Sequence, residues 1–529
     1  MDRIWVGMEK RLGRDTSSRN RSAPGRGCGK GTLSRRRFLG ASAKGFLGGI
    51  LSAAPFSRVL GANGDIRLGV VGIGSRVKIG GMGRNEIRSF RRIPGVRIVA
   101  ICDVDRANLL PEAEEFKKRN ESVATYSDMR HLFDDKQVDG VIITTPNHWH
   151  ALATIWACQA GKDVYVQKPA SHNIFEGRQM VEAARKYQRI VQCPTGSRSP
   201  NGHAAALDYV RSGKLGKVLA VRHVHFSARC SIGKSGGAQD LPQSVDYNLW
   251  SGPAAMLPLA RRNLHYDWHW QWPYGDGELG NWGIHHLDGC RMFVGGGLPR
   301  HVMSIGGRFG YDDDGQTPNT LIVYYDCGPA TIVSEFRGLP RDKSFLGNGV
   351  EGRDSWGPGA MDAHSGMSIG KIIQCEQGYV SSTVSRHAAF DPGHREIMAF
   401  EPGTPPLNEN FIAAMRSRRV EDLVADVLEG HLSTTLVHLG NISYRLGKAM
   451  SGGEVRERIL GNRELSEAYE RFDAHLSANG IDLKRRPVTL GPMLTFDAAT
   501  ERFVGEFGGE ANRLVSPEYR HPFIVPEKI

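Results

Sequence analysis

What this 529-residue chain lacks narrows it first. Its eight cysteines form no CxxC pair, and the seven that follow Cys28 are scattered and odd in number. That argues against a disulfide framework and against a structural zinc site. No run is long and apolar enough for a membrane-spanning helix. A general surplus of charge is missing as well. The net charge is +12, but residues 1–62 hold 13 Lys and Arg against 3 Asp and Glu, which leaves +2 for everything after Ala62. A nearly neutral body removes the main support for a nucleic-acid partner. There is no HExxH, and the pairs His265/His269 and His285/Asp288 follow no ligand template, so no metal is expected. No internal repeat is present.

The basic leader has a pattern of its own. "SRRRFLG" (34–40) sets paired arginines before Phe38 and Leu39, and a short, weakly apolar run, "GFLGGILSAAPF", follows. It resembles a twin-arginine export signal, with cleavage near Ala62 and delivery of the folded protein to the periplasm or another extracytoplasmic space. A basic tail without structure is the alternative.

Length and pattern after the leader divide the chain into a nucleotide-binding half (65–198), a second α/β half (199–483) and a tail (484–529). "IRLGVVGIGSRVKIGG" opens the first half with a buried-strand run, Ile66 to Val71, that turns at Gly72-Ile73-Gly74 into a helix expected to reach Arg92. Such a unit brings backbone N–H groups and a helix N-terminus onto a pyrophosphate, with Ser75 and Arg76 beside it. Val77 stands where GxGxxG has its third glycine. A second strand, "VRIVAICDVD", ends at Asp103, whose carboxylate would take ribose hydroxyls and repel a 2′-phosphate. That favours NAD, with NADP the alternative through Arg106. A surface aspartate capping the next helix would read the same way.

Further β–α steps follow: a strand at 138–144, a helix at 149–160, the strand "VYV", a helix at 173–187 and the strand "RIVQCP". This alternation demands a parallel, doubly wound sheet with ligands at the strand C-terminal ends. Pro146, Asn147, Lys168 and Arg198 all fall at such ends. Pro169 fixes how Lys168 leaves the sheet, although an ordinary loop lysine would fit the local pattern.

The second half alternates strongly in "KVLAVRHVHFSARC" and has a hairpin pattern in "TLIVYYDCGPATIVSEF", as a large, open, mainly antiparallel sheet would. Five of the nine tryptophans lie between Trp250 and Trp282, among His, Asp and Asn. Aromatic faces such as Trp270 and Trp282 suit the apolar side of a sugar ring, or else an aromatic core. Two helices are expected between residues 410 and 450.

"TPNHWHALA", "AGKDVYVQKP" and "NWGIHHLD" together resemble the Gfo/Idh/MocA oxidoreductases, from about Ile66 to at least Lys448. The resemblance implies a Rossmann domain joined to an α/β domain whose open sheet faces the nicotinamide, and a sugar, sugar derivative or cyclitol as substrate. It also implies a homo-oligomer formed through that sheet. Residue by residue, the family's Glu-Lys-Pro falls on Gln167, Lys168 and Pro169, with the lysine at the substrate hydroxyl. Asn147 and His150 fall on the loop lining the cofactor. The family's Asp-x-x-x-His falls on Asn281 and His285, which makes His285 the proton carrier. Arg198, His286 and Asp288 join Trp270, Asn281 and Trp282 as substrate contacts. Gln167 and Asn281 replace acids, so the reacting centre is expected to be short of negative charge. Two other outcomes stay open: an NAD-retaining glycosidase or lyase that oxidises its sugar transiently, and a sugar-binding protein without catalysis.

Overall fold

The computed structural model describes residues 64–75, 80–346, 359–383 and 386–529. The stretch expected to be an export signal and Arg76 lie outside them. Strands β1 (Ile66–Val71), β2 (Val96–Cys102), β3 (Ala124–Tyr126), β4 (Gly140–Ile143), β5 (Asp163–Val166) and β6 (Val191–Gln192) form one parallel sheet in the order 3-2-1-4-5-6. Its strands are apolar on both faces because both are covered. Leu68, Val70 and Ile142 pack to one side, and Val71, Val141 and Ile143 to the other. Strand order reverses between β1 and β4, and a crevice opens there at their C-terminal ends.

The glycine turn departs from the expectation. The helix does not start after Gly74 but at Met82, and it runs to Phe90. This later start supplies the close contact that Val77 lacked. A Cβ on Gly83 would come within 2.1 Å of the Gly72 carbonyl oxygen. Gly83 therefore does the packing that the third glycine of the motif usually does.

The second half is built on a mixed sheet of twelve strands among the described residues. Its middle is β7 (Val218–Phe226), β8 (His301–Gly307), β9 (Thr320–Asp326), β10 (Thr331–Arg337) and β11 (Ile369–Cys375), in the order 11-7-10-9-8. Only β7 and β10 run parallel within this stretch; β9 and β10 are the expected hairpin. Two helices, Leu407–Ser417 and Val427–Arg445, stand where two were expected. The second packs on β8, on helix Ile174–Lys186 of the first half and on helix Ile284–Phe293 of the second, so it joins the halves. The last residues return to the body: Val488–Leu490 pairs with β8, and Phe523 packs edge-on to Trp149. Among the described residues no helix is long and apolar enough to cross a membrane.

Candidate active site

At the crevice, Gly72 has a φ of +87°, and a Cβ there would lie 2.9 Å from the Thr144 carbonyl carbon. Only glycine lets the β1 turn approach the end of β4 this closely. Asp103 is buried beside that turn. Its Oδ2 accepts from the amides of Ile73 (2.8 Å) and Gly74 (3.2 Å), and its Oδ1 from that of Asp105 (2.9 Å). Burial pushes its pKa up against the pull of these donors. The helix cap is Asp105, whose side chain accepts from Ala107. Asp103 is thus the holder of the glycine turn, with lone pairs left for ribose hydroxyls. Arg106 points to the Gln243 carbonyl (3.3 Å). Ile73 is also a core side chain, Ser75 is buried, and Arg84 holds the turn through the carbonyls of Gly74 (2.6 Å) and Ser75. A tight glycine turn, an aspartate at the β2 end and a helix N-terminus fit a dinucleotide.

Pro146 starts helix Asn147–Gln159. The next two expected contacts are engaged elsewhere. Asn147 donates to Asp276 at 2.7 Å. His150 places Nδ1 2.6 Å from the Pro169 carbonyl and Nε2 2.8 Å from that of Thr145, while burial pulls its pKa down to about 4. The two side chains shape the loop from within instead of presenting polar atoms to a cofactor.

Lys168 leaves β5 through a cis peptide to Pro169 and donates to the carbonyl of Asn281 at 2.5 Å. That carbonyl belongs to a π-helical turn, Leu279–Gly283, which runs directly into helix Ile284–Phe293. A π turn shifts the carbonyls out of the α-helical register, and such turns gather at functional sites. Burial pulls the Lys168 pKa down to about 8. His285 sits one turn on, its Nδ1 accepting from the Gly196 amide at 2.8 Å. Burial and the Lys168 charge hold it well below the usual histidine range. The neutral ring therefore carries its hydrogen on Nε2, and it meets a ligand as a donor.

The expected shortage of negative charge is not found, because carboxylates arrive from elsewhere in the chain. Gln167 donates to Glu86, on the helix after the glycine turn, at 2.6 Å, and burial pushes Glu86 up to about 7. Glu278 lies three residues before Asn281, whose amide is 3.5 Å away, and pairs with Arg229 at 2.6 Å. Burial opposes its ionisation, but Arg229 outweighs that and holds its carboxyl far below the usual range. Glu278 is also the charge that most favours the ammonium form of Lys168.

Several expected substrate contacts have other partners. Asp288 accepts both Nε (2.9 Å) and Nη2 (3.0 Å) of Arg198, and Arg198 also donates to Glu429 (2.8 Å) and to the Val424 carbonyl (2.8 Å). Burial works against the Asp288 charge, yet Arg198 holds its carboxyl well below the usual range. With these groups mutually satisfied, the pair is an internal strut that locks helix Ile284–Phe293 to the strand ends. His286 is buried and stacks on His223 at 4.8 Å, and Trp270 is buried against Tyr266 and Arg229. Trp282 remains half-buried, stacked on His225 at 5.6 Å and edge-on to His285 at 5.5 Å. Lys168, His285 and Trp282 are the expected residues that the fold brings together. The earlier metal pairs do not converge: His265 bonds to Asp105 (2.8 Å) and His269 to the Tyr266 carbonyl (2.6 Å).

Two family models match the chain. An oxidoreductase family with an NAD-binding Rossmann fold covers residues 66–194, and an oxidoreductase-family C-terminal alpha/beta domain covers 210–334. The inositol 2-dehydrogenase of Salmonella typhimurium is 28% identical over 165 residues, which are 31% of this chain and 46% of that protein. A glycosyl hydrolase family 109 protein of a Shewanella species is 30% identical over 159 residues, 29% of this chain and 33% of that one. The chain thus matches less than half the length of these curated relatives. Among solved structures, the WlbA dehydrogenase of Bordetella pertussis, in complex with NADH and UDP-GlcNAcA, superposes with a TM-score of 0.50 at 17% identity, over 72% of this chain and 97% of that one. A putative NADPH-dependent oxidoreductase of Desulfitobacterium hafniense gives 0.51 at 13% identity, over 72% and 95%. At such identities the likeness is one of fold. Residues 66–194 are an NAD-binding Rossmann domain.

Proposed function

Since the chain belongs to the Gfo/Idh/MocA oxidoreductase family, we propose that it is an NAD-dependent oxidoreductase acting on a CH–OH group of a sugar, sugar derivative or cyclitol. One observation carries the reading. A lysine with its pKa near 8 is anchored at the end of β5 to the π turn, and a histidine that carries its hydrogen on Nε2 follows that turn beside a half-buried tryptophan.

When bound, the nicotinamide accepts or returns a hydride at the carbon that bears the hydroxyl. The protein's own residues handle the proton. Lys168 Nζ, anchored by the Asn281 carbonyl, takes the hydroxyl proton in its amine form and returns one in its ammonium form. His285 Nε2–H donates to the same oxygen, orients it and steadies the charge that develops on it. Trp282 offers a face for the ring's apolar side. Asp103 occupies the position where a 2′-phosphate would meet a carboxylate, which supports NAD over NADP.

Export by the twin-arginine route belongs to the same proposal and rests on "SRRRFLG". Association of copies through the large sheet belongs to it too, supported by exposed Ile397 and Met398 on an outer strand. The test is to denature the purified protein, identify any released nucleotide, and then screen free sugars, cyclitols and glycosides for NAD reduction. Stoichiometric NADH formation on a free polyol or sugar supports the proposal. Glycoside cleavage without net NAD consumption refutes it.

A further inference from the structure

His223 and His225 stand two residues apart on β7, so the two-residue repeat of the strand turns both to one face. Helix Ile284–Phe293 packs on that face and brings His286 to them. His286 stacks on His223 at 4.8 Å, and its ring centre is 6.0 Å from that of His225. One ring nitrogen from each residue lies within 4.8 Å of the other two, and all three residues are buried. His223 Nδ1 is 3.0 Å from the Ser334 hydroxyl, which leaves Nε2 unengaged. That Nε2 and both ring nitrogens of His225 find no hydrogen-bond partner among the described residues. His225 Nε2 is 3.3 Å from Glu278 Oε1 but not aligned to bond with it.

Buried ring nitrogens without partners are unusual, and several within one cluster ask for a ligand. We propose that His223, His225 and His286 form a binding site for a divalent transition-metal ion of the zinc class, which ties β7 to the helix that carries His285. Three neutral imidazoles are a nitrogen donor set that zinc accepts, with a fourth position left for water or a ligand. Metal–nitrogen bonds of about 2.1 Å set tetrahedral nitrogens roughly 3.4 Å apart, which small ring rotations reach from the present spacing. Glu278 is the carboxylate beside one imidazole, a frequent means of orienting a ligating histidine. Trp282, stacked on His225 within 20° of parallel, holds that ring's plane. The ion takes no part in the hydride chemistry proposed above, although Glu278 and Trp282 border both sites.

The experiment uses the full chain, stripped with chelator and dialysed against cobalt(II) and, separately, zinc(II). The expected result is about one ion per chain, with the intense visible absorption of four-coordinate cobalt, displaced by zinc. Added zinc should raise the thermal midpoint, and chelator should reverse the rise. His223→Gln and His286→Asn should each lose the absorption and bind at least tenfold more weakly while retaining nucleotide binding. Should either variant fail to fold, X-ray absorption of the zinc-loaded wild type decides. A shell of three imidazole nitrogens supports the site. A sulfur shell, a shell without imidazole, cobalt binding unchanged in both variants, or no stoichiometric binding by the wild type would overturn it.

Discussion

Replacing Lys168 by methionine should remove a pH limb that the structure places near 8. Burial pulls the ammonium from 10.5 to about 8. At pH 7 the amine is then about one-tenth of the population, against roughly one part in 3,000 for an ordinary lysine. Oxidation needs the amine, so kcat/KM for NAD reduction should rise about tenfold per pH unit up to about 8 and then level off. Reduction needs the ammonium and should fall above the same point. The assay is the initial rate of nicotinamide absorbance change at saturating nucleotide from pH 6 to 10. Lys168→Met should be slower by ~100-fold or more, with the limb gone. His285→Gln keeps a side-chain donor, so it should retain the limb and more activity than His285→Ala. A limb that persists near pH 8 in Lys168→Met would refute this division of roles.

Three further outcomes follow from contacts around the site. Gln167→Glu would set a second carboxyl against Glu86, now 2.6 Å from the Gln167 amide. Such a pair shares one proton and its folded pKa rises above the unfolded value, so the thermal midpoint should fall more steeply than in wild type as pH rises from 5 to 8. Equal slopes would show that the two groups do not meet. Asp288→Asn takes the buried carboxylate from Arg198 and leaves half-buried Glu429 as the one charge opposite it, so it should cost about 3 kcal/mol in denaturant unfolding while KM holds; unchanged stability with a raised KM would return the pair to the substrate. Asp103→Ala releases the Ile73 and Gly74 amides and should weaken NAD by tenfold or more, with less loss for NADP, as titration calorimetry would measure. Tighter binding of NADP than NAD by the wild type would contradict the role given to Asp103.

The first half was legible because its signals are short-range. A buried-strand run, a glycine turn and a helix within thirty residues impose their geometry locally, and the β–α alternation then leaves little choice but a parallel sheet. Lys168 at the exit of β5 follows from the same pattern. So do the β9–β10 hairpin, whose alternation and Gly-Pro turn are local, and the aspartate at the end of β2. The family resemblance added His285, which no periodicity marks.

What the linear pattern could not carry are partnerships across large separations. Gln167 meets Glu86 across 81 residues, and Arg198 meets Asp288 across 90. Read alone, Gln167 and Asn281 look like lost charge; only the folded chain brings Glu86 and Glu278 to replace it. Gly83 takes over from the missing third glycine because the helix begins at Met82. His223 and His225 showed in the sequence as the polar face of a strand, yet nothing local says that His286 packs onto that face. Backbone periodicity is written residue by residue, so the sequence determined the sheets and the exits of their strands. Which charges and ring nitrogens satisfy one another depends on how the two halves pack, and that only the tertiary structure decided.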